Sequence, residues 1–215
     1  MKFDTAIFDL DGTILNTLAD LRDSVNFALV KNGLPERSTE EIRSFVGNGI
    51  RLLIERAVPE STECDVVDKC FLDFKEHYKF NSDNKTKPYN GVTELLKELK
   101  KSGIKLALVS NKADFAVQGL VNKYFPDIFG FVTGEKDNIR RKPCPDSVFA
   151  AMEYLGSDRN NTVYIGDSEV DIETSKNSRI ACVAVTWGFR DKDILIGLNP
   201  EYIVDTPEQI TEIMK

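Results

Sequence analysis

The sequence contains little histidine and no close pair of cysteines. Its 215 residues include one histidine, His77, and four cysteines that are scattered along the chain without a Cys-x-x-Cys motif. Structural zinc sites and disulfide frameworks require clustered cysteine and histidine, so we expect neither and interpret the cysteines as reduced thiols. His77 falls on a helical stripe without a partner motif, which favours a helix-face residue over a catalyst.

The chain also lacks an excess of positive charge and any long apolar run. Its formal net charge is -7, whereas proteins that bind nucleic acids need cationic surfaces to contact phosphate. The first segment meets Asp4 and Asp9 before an apolar run of the length of a signal peptide or a membrane helix develops. We therefore expect no nucleic-acid partner, no membrane partner and a cytoplasmic location.

Short, nearly continuous apolar runs alternate with segments of helical spacing along most of the chain. Buried parallel strands have this composition, and the helices between them cover both faces of the sheet. The alternation predicts an α/β fold with a Rossmann-like parallel sheet. The predicted strands are residues 5–8, 104–109, 129–133, 162–165, 180–185 and 202–204.

Residues 16–81 interrupt this alternation. They contain no convincing strand, and their apolar spacing indicates three or four amphipathic helices, one of which begins at the capping box of Ser38 and Glu41. We predict an α/β core of residues 1–15 and 82–215 and a small all-helical cap of residues 16–81. An insertion at this place would lie over the end of the first strand as a lid; a rigid helical layer is the alternative.

Two aspartates end the first predicted strand. In residues 8–13 (FDLDGT), Asp9 and Asp11 are two positions apart, so in an extended chain both side chains point to the same face. Ligands of open α/β sheets bind beyond the strand ends, and adjacent carboxylates repel unless they share a proton or a hard cation. The pair is a candidate for metal-assisted chemistry; a simple reverse turn at Asp11 is the alternative.

Three later segments carry residue types that suit a phosphoryl group or a cation. Ser110 and Asn111 end the second strand, where a hydroxyl and helix N-terminal amides can bind an anion, although helix capping alone also explains them. Lys142 lies in a loop stiffened by two prolines, for which a solvated basic turn is the alternative. Asp167 follows Gly166, which permits a close backbone approach at the end of another strand.

These segments, in this order, resemble the four motifs of the haloacid dehalogenase (HAD) superfamily, and the resemblance extends over the whole chain. Most members are magnesium-dependent phosphohydrolases, and the dehalogenase branch lacks the second aspartate. The presence of Asp11 therefore favours the phosphatase branch. The resemblance implies that Asp9 is the nucleophile, that Asp11 is the general acid and base, and that Ser110, with Asn111 beside it, and Lys142 bind the phosphoryl group.

The resemblance also implies a Mg²⁺ site. Its ligands would be the Asp9 carboxylate, the backbone carbonyl of Asp11 and Asp167, with Asp171 supporting the site through water or by holding Lys142. The remaining supporting positions of the motifs are Gly12, Thr13 and Gly166.

Three segments look most like phosphoglycolate phosphatases within this superfamily: residues 46–51 (VGNGIR), 109–112 (VSNK) and 185–188 (VTWG). We expect a small phosphorylated metabolite as substrate, 2-phosphoglycolate being the leading candidate. The cap candidates for specificity are Gly47, Asn48 and Arg51, of which Arg51 could pair with a carboxylate or could simply be a solvated helix residue.

Other functions remain open at this point. A phosphosugar mutase or a pyrophosphatase of the same superfamily would share Asp9 and Asp11, and a non-catalytic phosphate-binding protein would keep the fold. The protein could be a monomer or a homodimer.

Overall fold

A six-stranded parallel sheet forms the centre of the larger part of the protein in the computed structural model, which describes residues 2–137 and 139–215. The strands are β1 (Thr5–Phe8), β2 (Leu15–Asn16), β3 (Lys87–Pro88), β4 (Lys105–Ala113), β5 (Phe131–Glu135), β6 (Thr162–Gly166), β7 (Ala181–Val185) and β8 (Tyr202–Val204). The sheet order is β5-β4-β1-β6-β7-β8, and β2 pairs with β3 in a separate two-stranded sheet. The predicted α/β fold with a parallel sheet is confirmed.

Helices connect and cover these strands. They are α1 (Leu18–Lys31), α2 (Thr39–Phe45), α3 (Ile50–Ala57), α4 (Cys64–Asn81), α5 (Val92–Lys101), α6 (Asp114–Tyr124), α7 (Asp146–Leu155), α8 (Glu169–Ser178), α9 (Lys192–Gly197) and α10 (Pro207–Met214). Among the described residues, none of the helices combines the length and the apolar character that a membrane span requires.

Strand β1 lies between β4 and β6, and its register fixes which strand ends meet. Phe8 is level with Leu108 of β4 on one side and with Ile165 of β6 on the other. The chain builds β4 and β5 to one side of β1 and then crosses to build β6 to the other. Open α/β sheets bind their ligands beyond the strand ends at such a change of direction, so the residues that follow these three strands share one site.

Side chains of β1 alternate between two apolar clusters. Phe8 belongs to the cluster that contains residues of α5, α6 and α10, and Ile7 belongs to the cluster that contains residues of α7. Both faces of the sheet are therefore buried, which explains why the strands are continuous apolar runs instead of alternating ones.

The chain divides into two compact units, Met1–Leu15 with Pro88–Lys215 and Asn16–Lys87. The second unit contains α1 to α4. Buried apolar residues of α1 pack against those of α4, and the predicted capping box begins α2, with Glu41 N–H 3.2 Å from Ser38 Oγ and Ser38 N–H 2.7 Å from Glu41 Oε2.

The helical unit ends later in the chain than the predicted cap, at residue 87 instead of residue 81. Asp20 of α1 explains the difference. Its buried carboxylate accepts hydrogen bonds from the backbone N–H groups of Lys85 and Thr86 and from the Thr86 hydroxyl, at 2.8 to 3.0 Å. These bonds keep the segment after α4 within the helical unit.

We expect Asp20→Ala to lower the free energy of unfolding by about 2–3 kcal/mol, because it leaves two backbone N–H groups without their carboxylate. Urea unfolding followed by circular dichroism measures the loss. Asp23→Ala is the matched control on the same helix: Asp23 pairs with Arg22 and Lys85 at the surface, and such pairs contribute about 0–1 kcal/mol. Equal losses for the two variants would contradict the assigned role of Asp20.

Candidate active site

Asp9 and Asp11 follow β1. The backbone N–H of Asp9 donates to Ile165 O at 2.9 Å, so Asp9 continues the ladder between β1 and β6. The chain then turns at Gly12, whose φ of +88° lies in the left-handed region that favours glycine. A Cβ at Gly12 would lie 2.3 Å from Asp167 Oδ2. The turn therefore brings the end of β1 against the acid that follows β6.

Lys142 lies at the centre of the buried charges. Its Nζ is 2.8 Å from Asp9 Oδ1, 2.8 Å from Asp171 Oδ1 and 3.0 Å from the Tyr164 hydroxyl, and only 4% of the residue is exposed. The contacts with Asp171 and Tyr164 are hydrogen bonds, and the contact with Asp9 is an ion pair, so an ammonium with three N–H donors keeps one for a further acceptor. Tyr164 was missing from the sequence-based candidates because it lies within the apolar run that forms β6.

Asn111 holds the backbone of Lys142. Asn111 Oδ1 accepts the Lys142 N–H at 2.8 Å, and Asn111 Nδ2 donates to the Lys142 carbonyl at 3.0 Å. The amide of β4 thereby fixes the loop that carries the lysine. The predicted contact of Asn111 with phosphate stays a prediction, and the positioning contact is a role that sequence reasoning missed.

Asp167 is fixed by residues from two other segments. Its Oδ1 accepts the Thr13 hydroxyl at 3.0 Å, and its Oδ2 accepts the Phe189 N–H at 2.7 Å. A Cβ at Gly188 would lie 2.3 Å from the Cβ of Asp167. Only a glycine at position 188 lets this segment approach Asp167 so closely. The similarity of residues 185–188 to phosphoglycolate phosphatases did not predict this requirement.

Asp171 is fully buried and has two tasks. Its Oδ2 accepts the N–H of Ser168 at 3.1 Å and the Ser168 hydroxyl at 2.6 Å, which caps α8, while its Oδ1 holds Lys142. A Cβ at Gly166 would lie 2.3 Å from the Asp171 side chain. The structure thus places Asp171 and Gly166 beside the other acids.

The end of β4 brings a second lysine to the aspartates. The register with β5 shifts between Val109 and Ala113, and within this irregular stretch the Lys112 N–H donates to Ser110 Oγ at 3.3 Å. Lys112 Nζ lies 2.8 Å from Asp11 Oδ1 and 3.2 Å from Asp11 Oδ2. From the sequence, Lys112 is a cation of a phosphate-binding type beside Ser110 and Asn111 at a strand end, but its contact with Asp11 was not predicted.

The buried acids interact strongly with one another. Burial raises the pKa of Asp9 to about 7, with Lys142 opposing and Asp171 adding to the increase. Burial, Asp171 and Asp9 together raise the pKa of Asp167 well above its usual range. Burial disfavours the charged form of Lys142, but Asp171 and Asp9 outweigh this effect and raise the pKa of Lys142.

This arrangement fits a divalent cation. Carboxylate oxygens of Asp9, Asp167 and Asp171 lie within 4.8 Å of one another. Among the described residues, Asp9 Oδ1 accepts no hydrogen bond of regular geometry, although Lys142 Nζ lies 2.8 Å away as an ion pair. Three buried carboxylates beside one buried ammonium leave an excess of negative charge, and hard cations prefer oxygen ligands of this kind.

The cap candidates belong to the helical unit. Gly47 and Gly49 have φ values of +125° and +84° on either side of Asn48, just before α3. Arg51 donates to Glu55 Oε1 at 2.6 Å and also pairs with Asp68. The guanidinium is therefore engaged by two acids of its own unit, and its contact with a substrate carboxylate stays a prediction.

His77 also lies in the helical unit. Its Nδ1 is 3.0 Å from Ser24 Oγ, and its ring stacks on Phe27 with ring centres 4.1 Å apart. His77 of α4 therefore packs against α1.

Comparison with known proteins assigns the family. The sequence model of the haloacid dehalogenase-like hydrolases matches residues 6–185. The chain belongs to this family.

Relatives of this HAD-like hydrolase are similar over most of its length. It is 34% identical over 192 residues to a phosphoglycolate phosphatase of Mesorhizobium japonicum, covering 87% of this chain and 85% of the relative. It is 30% identical over 209 residues to that of Pseudomonas syringae pv. tomato, covering 93% and 75%. A crystal structure from Lactobacillus delbrueckii subsp. bulgaricus, provisionally described as a phosphoglycolate phosphatase, shares 39% identity and superposes with a TM-score of 0.95 over 100% of this chain and 99% of that chain. The HAD-like hydrolase described here is a phosphoric monoester hydrolase.

We expect Asp9→Asn to raise the melting temperature at pH 8 in buffer that contains EDTA. The folded pKa of Asp9 is about 7, whereas an unfolded aspartate has a pKa of about 3.9. Ionised Asp9 therefore destabilises the fold fully above pH 7 and not at all below about pH 4. Its removal should stabilise the protein by on the order of 1 kcal/mol, since active sites are held at a cost in stability, and the gain should decline as the pH falls from 7 towards 4.

Scanning calorimetry across this pH range checks the prediction. Asp193→Asn removes an exposed carboxylate of α9 and should leave the melting temperature unchanged. The destabilising effect of ionised Asp9 is refuted if Asp9→Asn melts at or below the wild-type temperature at pH 8. Added Mg²⁺ should stabilise the wild type more than the Asp9 variant.

Proposed function

We propose that the protein is a magnesium-dependent phosphatase that hydrolyses a small organic phosphomonoester through an aspartyl-phosphate on Asp9. The observation that carries this proposal is the buried Asp9 carboxylate, held against Lys142 at 2.8 Å and grouped with Asp167 and Asp171 beyond the strand ends. A nucleophile, a cation for the phosphoryl oxygens and a cation-binding set of acids therefore come together at one place.

In the first step, an Asp9 oxygen forms a bond to phosphorus and the bond between phosphorus and the ester oxygen breaks. Asp11 donates a proton to that oxygen, which leaves as an alcohol. Lys142 and Ser110 hold the phosphoryl oxygens during the transfer. Positioning of this kind supplies most of the catalysis in phosphoryl transfer.

In the second step, water attacks the phosphorus of the aspartyl-phosphate. Asp11 accepts a proton from the water, the bond between Asp9 and phosphorus breaks, and phosphate leaves with Asp9 restored as a carboxylate. Asp9 and Asp167, with the backbone carbonyl of Asp11, would hold Mg²⁺, which when bound neutralises charge on the phosphoryl group.

The leading substrate is 2-phosphoglycolate. The support comes from relatives that are phosphoglycolate phosphatases at 30% and 34% identity over most of this chain. The enzyme would act on a small phosphorylated metabolite in the cytoplasm.

We expect phosphate release to depend on Mg²⁺ and to be fastest with 2-phosphoglycolate in a panel that includes pyrophosphate, nucleoside monophosphates and sugar phosphates. Asp9→Asn should lower kcat by at least about 10³-fold, because it removes the nucleophile, while Asp193→Asn should retain wild-type rates. A malachite green assay measures the product. The proposal would be refuted if none of the esters released phosphate. Isomerisation of a sugar phosphate without release of phosphate would identify a mutase instead.

The covalent intermediate can be trapped separately. We expect borohydride to reduce the aspartyl-phosphate of Asp9 to homoserine during turnover, with the product located by peptide mass spectrometry. Asp11→Asn should increase the trapped fraction because hydrolysis of the intermediate loses its base. Recovery of unmodified Asp9 under turnover in both proteins would favour direct attack by water.

A further inference from the structure

Lys112 is a buried cation that the proposed reaction does not use. Its side chain is 2% exposed, and its Nζ contacts both oxygens of Asp11, at 2.8 and 3.2 Å. Burial of an ammonium costs several kcal/mol unless an anion accompanies it. Asp11 is the anion that offsets this cost, so the pair ties a buried cation to the predicted acid and base.

The backbone around Lys112 is closely fitted. A Cβ at Gly134 of β5 would lie 2.5 Å from the Lys112 carbonyl oxygen and 2.6 Å from the Cα of Asp114. Asp114 Oδ1 in turn accepts the Gly134 N–H at 2.8 Å. Together with the bond from Lys112 N–H to Ser110 Oγ, these contacts fix Lys112 between the predicted phosphate ligand Ser110 and the predicted acid and base Asp11.

Lys112 lies close to the place where the leaving group of the substrate would bind. A general acid must lie within hydrogen-bond reach of the atom that it protonates, so the ester oxygen of the substrate lies beside Asp11. Lys112 contacts the same carboxylate. A short substituent on the ester oxygen can therefore reach the Lys112 ammonium.

We propose that Lys112 determines specificity by binding an anionic group on the leaving alcohol, a role that rests on the phosphatase function proposed above. In 2-phosphoglycolate a single methylene separates the ester oxygen from the carboxylate. When one Asp11 oxygen turns to the ester oxygen, Lys112 gives up one of its two contacts with Asp11, and the substrate carboxylate replaces it. A substrate with a neutral leaving group leaves this contact unreplaced.

The other cation considered for this task is less well suited. Arg51 is 39% exposed in its side chain and is already paired with Glu55 and Asp68. Lys112 is buried and contacts the very group that must reach the leaving oxygen. A charged hydrogen bond discriminates more strongly where water is excluded.

The test combines a protein variant with a matched change in the substrate. The variant is Lys112→Met, and the substrate pair is 2-phosphoglycolate and its carboxyl methyl ester, which lacks the negative charge. We expect esterification to lower kcat/KM of the wild type by about 10- to 100-fold, as loss of a charged hydrogen bond does. In Lys112→Met the same esterification should change kcat/KM by less than about threefold, because the partner of the carboxylate is gone.

Three controls accompany this cycle. Lys101→Met removes an exposed lysine of α5 and should keep the wild-type discrimination, and Lys112→Arg should retain part of it because the charge remains. Arg51→Met should also keep the wild-type discrimination between the two substrates. The wild-type substrate pair needs no variant, so the proposal stays testable if Lys112→Met does not fold.

The outcomes separate this proposal from the proposed function. Equal discrimination by the wild type and Lys112→Met, or loss of discrimination in Arg51→Met instead, would overturn the role of Lys112 while the enzyme remains a phosphatase. A wild type that hydrolyses both substrates equally well would also overturn the role of Lys112. Failure of the wild type to release phosphate from any ester would refute the phosphatase function itself.

Discussion

The ammonium of Lys142 is the interaction on which the site depends. It binds Asp9 after β1, Tyr164 in β6 and Asp171 in α8, and its own backbone is held by Asn111 in β4. One side chain therefore joins the elements that build the site. Without it, two buried carboxylates would face each other without a cation, and such an arrangement is strongly destabilising. The lysine thus serves the fold and the chemistry through the same contacts.

The parallel sheet is what allows one lysine to do this. Motifs that are far apart in the chain become neighbours because β1 lies between β4 and β6 at a fixed register. Gly12 and Gly188 bring the backbone to within side-chain distance of Asp167, where any Cβ would collide with the acid. The acids are consequently fixed before a ligand arrives, and such preorganisation is the main source of electrostatic catalysis.

The strands of the six-stranded sheet, and the places of the acids after two of them, could be predicted from the sequence because both depend on local patterns. A continuous apolar run is typical of a strand with two buried faces, and Asp9 and Asp167 come directly after such runs. The contacts of Asn111, Tyr164 and Lys112 could not be predicted in this way. The contacts of Asn111 and Lys112 depend on how the irregular end of β4 directs successive side chains, and the Tyr164 hydroxyl gains its role only because Lys142 comes within reach. The end of the helical unit likewise depends on Asp20, which binds a segment more than 60 residues later.

Two carboxylates two residues apart are given different partners, and this separation has a functional consequence. Asp9 lies against Lys142, which also contacts Asp171, whereas both oxygens of Asp11 lie against Lys112. Environments that differ in this way let neighbouring acids take different roles. In the proposed reaction, Lys142 acts with the nucleophile on the phosphoryl group, and Lys112 acts with the acid and base on the leaving group. Recognition of phosphate and recognition of the leaving group can then change independently, because each is tied to its own lysine.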